Sequence, residues 1–174
     1  TMLQPISKKQ FIWSKYIVSI GFTILVVILM AISAFGLSYM FFGKGDLIVY
    51  LGQLNFFESK DAFRRLMGAF ASGTVSMVFF SVVSLTLGVI FREPTKTWIV
   101  AALFLILSNL LLKVDFGTVW LNKLFFPKLG DTWQYFFYSK IPWDQILINN
   151  GLLLGYTLLI AGLGSYVFIK RDVG

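Results

Sequence analysis

The sequence predicts an all-α fold: a polytopic transmembrane helical bundle, with four spans in this chain. Three observations carry that prediction. Residues 16–43 form an apolar run without a charge. The 174 residues are 57% hydrophobic and only 13% charged, where a soluble domain carries about 25% charge. Three further charge-poor segments follow the first, at 66–91, 97–112 and 145–169. A chain of this composition cannot hide its apolar surface in water, so the bilayer must be the solvent for most of it. One compact transmembrane domain over 1–174 is the natural unit.

The first span is placed at 11–42. Its charge-free part makes about 40 Å of helix, enough to cross a hydrocarbon core of about 30 Å with some tilt. A short polar and basic segment, residues 1–10, leads into it. The apolar run is too long for a signal-peptide core, and no small-residue cleavage site follows it. The opening, Thr1 running at once into a basic segment, reads as the middle of a longer protein. The third span is the shortest, at about 24 Å of helix, so Lys96 and Lys113 would snorkel at its ends. Four crossings put both ends of the chain on one side. Counting Lys and Arg gives seven on the side of the ends and eight on the other, so the positive-inside rule does not decide the orientation by number. The seven are denser and lie closer to helix ends, which favours that side as the inner one.

The connections differ. Residues 92–96 (REPTK) form a tight turn, because Pro94 cannot comfortably continue a helix. In residues 46–57, Leu47, Ile48, Tyr50, Leu51 and Leu54 recur at helical spacing. They read either as an interfacial helix or as an extension of the first span. Residues 113–144 are rich in aromatics that suit the headgroup level. Pro127 and Pro142 break this stretch into short pieces, and a pair of interfacial or re-entrant short helices fits better than a free loop. Any dip must be packed on protein, since no backbone can stay unsatisfied in lipid.

Small residues mark candidate helix-packing positions: Gly68, Ser72 and Ser76 on one face of the second span, and Gly151 and Gly155 as GxxxG in the fourth. Intramolecular packing and a dimer seam are both open for them. Ser81, Ser84 and Thr86 read as bonding carbonyls of their own helix. Glu58, Asp61, Asp115, Asp131 and Asp144 read as solvated loop charge. No Asp, Glu, Lys or Arg lies inside the charge-free runs of the spans, which disfavours a proton-coupled carrier or an ion pump. There is no Cys and no His, so thiolate and imidazole metal sites are excluded. There is no GxxxxGK[ST] phosphate loop, no GxSxG elbow and no zinc motif. The net charge of +7 is spread between apolar runs rather than clustered, so it indicates membrane flanks and not nucleic acid.

The segment PISKKQFIWSKYI and the ending GLGSYVFIKRDVG together resemble the membrane subunits of ABC transporters of the ABC-2 (type V exporter) family. In that family a segment of the type "PISR…K" leads into the third transmembrane helix, and Pro5, Ile6, Ser7, Lys8 and Lys15 match it, with Lys8 where Arg is common. The family's ending is similar to Phe168, Lys170, Arg171 and Asp172. LGVIFREPTKTWIV resembles its turn between the fourth and fifth helices, and 127–143 resembles the short extracellular helices before its last span. The resemblance runs in order along nearly the whole chain, through motifs that are each degenerate. It departs from the family in one respect: the first two of six spans and an amphipathic elbow helix are missing. That implies either the C-terminal two-thirds of such a subunit or a sequence from which that part has been left out.

The resemblance implies that Gln4, Pro5, Ile6, Ser7, Lys8 and Lys9 belong to a cytoplasmic segment that docks on a separate ABC ATPase, whose closure pushes the first helix. The bland reading is that Lys8 and Lys9 anchor at anionic lipid headgroups. It further implies a second permease half, identical or related, a cell-membrane location with both ends of this chain cytoplasmic, and export of an amphiphilic or hydrophobic substrate. This chain would then be no enzyme and carry no cofactor, ATP and Mg being bound by the partner subunit. The alternative from another class is a non-transporting multi-span scaffold or immunity-type protein.

Overall fold

The computed structural model describes residues 7–43, 45–51, 54–112 and 124–170. Four of its helices are long and apolar enough to cross a membrane. They are α1 (Lys8–Phe42), α2 (Ser59–Phe91), α3 (Pro94–Leu111) and α5 (Trp143–Lys170). A short helix, α4 (Phe126–Gly130), and a 3₁₀ segment (Asp131–Phe137) precede α5. A two-stranded antiparallel hairpin, β1 (Leu47–Tyr50) and β2 (Leu54–Phe57), joins α1 to α2. The all-α, four-span reading therefore holds at that level, with one β ornament.

Helix α2 is the mast of the bundle. Its buried residues run from Ala62 to Thr86 and face several neighbours. Helix α1 lies antiparallel along it. Tyr16 Oη and Thr86 Oγ1 are 2.8 Å apart, Ser19 and Ser81 Oγ 2.7 Å, and the Phe35 ring meets those of Phe70 and Phe63 in tilted contacts at 5.5 Å. Thr23 adds a bond to Ser81 of 2.9 Å. Thr86 does bond the carbonyl of Val82 in its own helix at 2.8 Å, as the sequence suggests. Ser81 instead serves α1. Hydroxyl pairs of this kind, buried in apolar surroundings, fix the register of two otherwise featureless apolar helices.

Helix α5 runs parallel to α2. Ser72 donates to Asn150 Oδ1 at 3.2 Å near one end. Towards the other end, Gly164 abuts Thr86 and the Tyr16 hydroxyl so closely that a Cβ there would collide with both. One glycine thus admits three helices to a single node. Helix α3 returns antiparallel to α2, with Phe80 and Phe104 6.0 Å apart. The turn before it is only two residues long. Arg92 closes α2 with a left-handed φ of 56°, and Pro94 occupies the first turn of α3, where its missing N–H costs nothing. Phe11 stacks on Phe168 at 5.9 Å, so the described beginning and end of the chain lie at the same end of the bundle.

The segment between α1 and α2 departs from the helical reading. Gly43, at φ 68°, stops α1, and LIVY pairs with LNFF in the register Leu47↔Phe57 to Tyr50↔Leu54. Short apolar runs are ambiguous between periods, and β-branched and aromatic residues decided here for strand. Asp46 Oδ1 accepts from the Ser59 N–H at 3.2 Å and ties the hairpin to the start of α2. That helix also begins earlier than its apolar run, so 59–65 is helix rather than loop.

The expected packing face of α2 is real, but its partners are mixed. At Gly68 a Cβ would run into the Phe136 ring of the 3₁₀ segment. Ser72 meets α5, and Ser76 donates to the Gly130 carbonyl at 2.9 Å. Gly151 and Gly155 are different. Both are exposed, and a Cβ at either meets nothing within 4 Å, so among the described residues no other helix packs on the GxxxG pair. Two variants follow from this contrast. Gly68→Leu should cost about 1–3 kcal/mol by overpacking and lower the thermal midpoint in detergent. Gly155→Leu should leave the midpoint of the isolated chain unchanged or slightly raised, because Gly is a poor helix former. Equal destabilisation by both would contradict the packing described.

Candidate functional site

The beginning of α1 is defined by its cap. Ser7 Oγ accepts from the Gln10 N–H at 3.2 Å, and the Ser7 N–H donates to Gln10 Oε1 at 3.3 Å. This reciprocal capping box fixes where the helix starts. Lys8 and Lys9 fall in its first turn and are exposed. Cations there oppose the helix dipole, at a cost of about 0.3–1 kcal/mol each, so helix stability does not account for them. Gln4, Pro5 and Ile6 lie outside the described residues. The structure thus places Ser7, Lys8 and Lys9 together at one rim of the bundle, on a helix of 35 residues.

At the other end of the spans, the connection before α5 folds inward along α2. Helix α4 and the 3₁₀ segment meet at Gly130, level with Ser76 and Phe79, near the middle of α2. Leu129 is buried with Phe79, Val83 and Leu153. Several polar groups at this bend are answered by protein. The Gly130 carbonyl takes the Ser76 hydroxyl, Thr132 Oγ1 donates to the Leu129 carbonyl at 2.7 Å, and Asn149 Nδ2 donates to Thr132 Oγ1 at 3.1 Å. Arg65 then clasps the far end of the segment. Its Nη1 donates to the carbonyls of Phe136 and Tyr138 at 2.9 and 2.7 Å, its Nε pairs with Asp61 at 2.7 Å, and the guanidinium lies 4.2 Å from the centre of the Phe57 ring.

These roles show what sequence reading missed. Asp61 read as loop charge, yet it pairs with Arg65, which clamps hairpin, α2 and the 3₁₀ segment together. Phe136 and Phe137 read as headgroup aromatics, yet both are buried. Asn149 and Asn150 lie near the start of the fourth charge-poor segment, and their partners are 17 and 78 residues away. The one available signal was the coincidence of Asn149–Asn150 with the hydroxyl face of α2, two polar sets that had to meet something inside an apolar bundle.

Between α1, α2, α3 and the bend lies a cavity of about 650 Å³, walled by Val27, Met30, Met77, Leu105, Trp133 and Phe137. Its polar contributions are few: Ser76, Ser108, Asn109 and Asp131. Such a space suits an apolar group with one polar contact. Asp131 is half-buried and lines this space. Gln134 Nε2 donates to its Oδ2 at 3.2 Å. Asp131 is therefore not simply a solvated loop charge. Among the described residues no group of three or more His, Cys, Asp or Glu could hold a metal.

The family model described as "Protein of unknown function (DUF2705)" matches residues 2–174. No curated protein and no solved structure matches the chain. The match runs almost from end to end, across the capped start of α1, the α2 mast and the inward bend alike, and the chain belongs to the DUF2705 family of proteins of unknown function.

Proposed function

We propose that the chain is the transmembrane subunit of an ATP-driven exporter of the ABC-2 type, moving an amphiphilic or hydrophobic substrate when coupled to a separate ATPase. The observation that carries this reading is the construction of α1. It is one unbroken helix of 35 residues, capped at Ser7, with Lys8 and Lys9 in its first turn. Within three turns of that start it is bonded to α2 through Tyr16–Thr86 and Ser19–Ser81. A push on the basic rim would therefore move α1 and α2 as a body rather than bend a linker. The order of motifs from PISKK to FIKRD supports the same reading. The apolar cavity beside Asp131 has the chemistry of a place for an apolar moiety in transit.

In this reading Gln4 to Lys9 dock on an ABC ATPase that binds ATP and Mg, a second permease half completes the substrate route, and both ends of the chain face the cytoplasm across the cell membrane. The chain itself carries no catalytic group for the hydrolysis. The test is a pull-down of the tagged protein from its native membranes in mild detergent, with mass spectrometry of what accompanies it. A stoichiometric ATPase with a phosphate loop is expected. Two charge reversals, Lys8→Glu and Lys9→Glu, should weaken its retention by about tenfold or more, since like charge set across an interface costs several kcal/mol. Absence of any ATPase with the wild type would overturn the reading in favour of a non-transporting scaffold. Unchanged retention by the double variant would remove the docking role of the two lysines.

A further inference from the structure

The rim that carries the described chain ends also holds a groove that the transport reading does not use. A cavity of about 930 Å³ opens between the starts of α1 and α3 and the ends of α2 and α5, with Lys15, Arg92, Trp98 and Phe168 among its walls. A second, narrower space of about 460 Å³ shares Phe11, Lys15, Ser19 and Leu85 with it and continues along α1 past Val18 to Phe22. The two adjoin as one open groove, with charged residues at the rim and apolar ones along α1.

The mouth is positively charged. Lys15 Nζ sits 4.6 Å over the Phe11 ring, and Arg92 is exposed on its left-handed turn. Neither forms an ion pair among the described residues. The acid at the mouth, Glu93, is already paired with Lys96 at 2.9 Å. The position of the two cations is also informative. Lys15 immediately precedes the charge-free run of α1, and Arg92 immediately follows that of α2. Both therefore stand at the boundary between hydrocarbon and water. Trp98, on the same wall, is an exposed aromatic at that level, where indole rings favour the headgroup region.

We propose that this groove binds a single anionic phospholipid from the leaflet at this end of the bundle. Its phosphate lies between Lys15 and Arg92. One acyl chain follows the slot along Val18, Phe22 and Leu85. Two unneutralised cations select an anionic headgroup over a zwitterionic one. The apolar slot, running into the charge-free part of α1, selects a lipid over a soluble anion. The inference stands apart from the transport reading, because it needs neither an ATPase nor a substrate route.

The test is native mass spectrometry of the whole protein, released from detergent and titrated with phosphatidylglycerol or phosphatidylcholine of the same acyl chains. Phosphatidylglycerol should bind more tightly, by about fivefold for each cation. The double variant Lys15→Gln with Arg92→Asn should lose that preference, Asn being a residue that tolerates the left-handed turn. Lys60→Gln, at the opposite end of the bundle, should keep it. Val18→Trp, which fills the slot and leaves both cations in place, should weaken both lipids. A preference that survives the Lys15–Arg92 double variant would overturn the proposal. So would displacement of phosphatidylglycerol by millimolar inorganic phosphate, which would identify a free-anion site instead.

Discussion

A backbone carbonyl inside hydrocarbon must find a donor in protein, and the bend at Gly130 meets that constraint by giving its carbonyl to Ser76. Much of the rest follows from this bond. The connection before α5 can run inward only because α2 offers hydroxyls and a glycine at the right heights. Gly68 receives the Phe136 ring, Ser76 receives the turn, and Ser72 bonds α5 beside it. Once the segment is seated, Leu129 and Phe126 fill the space against Phe79, and Thr132 orients Asn149. The apolar cavity is the space left between that bend and α1.

The two ends of the bundle are held by different physics. At the end of the bend, polar groups are paired inside protein, and Arg65 spends its donors on two carbonyls and a carboxylate. At the opposite rim, the cations Lys15 and Arg92 border a groove and make no ion pair among the described residues. One end is built for internal closure, while the other keeps charge turned outward. Between them, the Tyr16–Thr86 and Ser19–Ser81 bonds lock α1 to α2, so the rim and the cavity are connected through one rigid pair of helices.

The four crossings were legible because hydropathy and length act locally, and lipid leaves a chain few other choices. The α2–α3 turn was legible for the same reason: Pro94 confines what can precede and follow it. The small-residue face of α2 could be read as a packing face, but its partner could not. A glycine signals close approach without naming what approaches, and here it was a phenylalanine ring from another element. The same ambiguity hid the fate of Gly151 and Gly155, whose face turns away from the described chain. The LIVY–LNFF hairpin was misread because four-residue apolar runs fit both periods. Long-range pairs such as Ser72–Asn150 leave no pattern in a single sequence at all. The capping box at Ser7 has its signature in SKKQ, a Ser followed three residues later by Gln.

The central claim is that residues 126–137 are packed into the bundle rather than lying loose at the headgroups. Amide hydrogen exchange of the protein in lipid nanodiscs tests it most directly. The account predicts that backbone amides around Gly130, Asp131 and Thr132 exchange as slowly as those of neighbouring α2, because opening them would require the segment to leave Ser76 and Gly68. Exchange of this segment at the rate of a free loop, with α2 still protected, would contradict it.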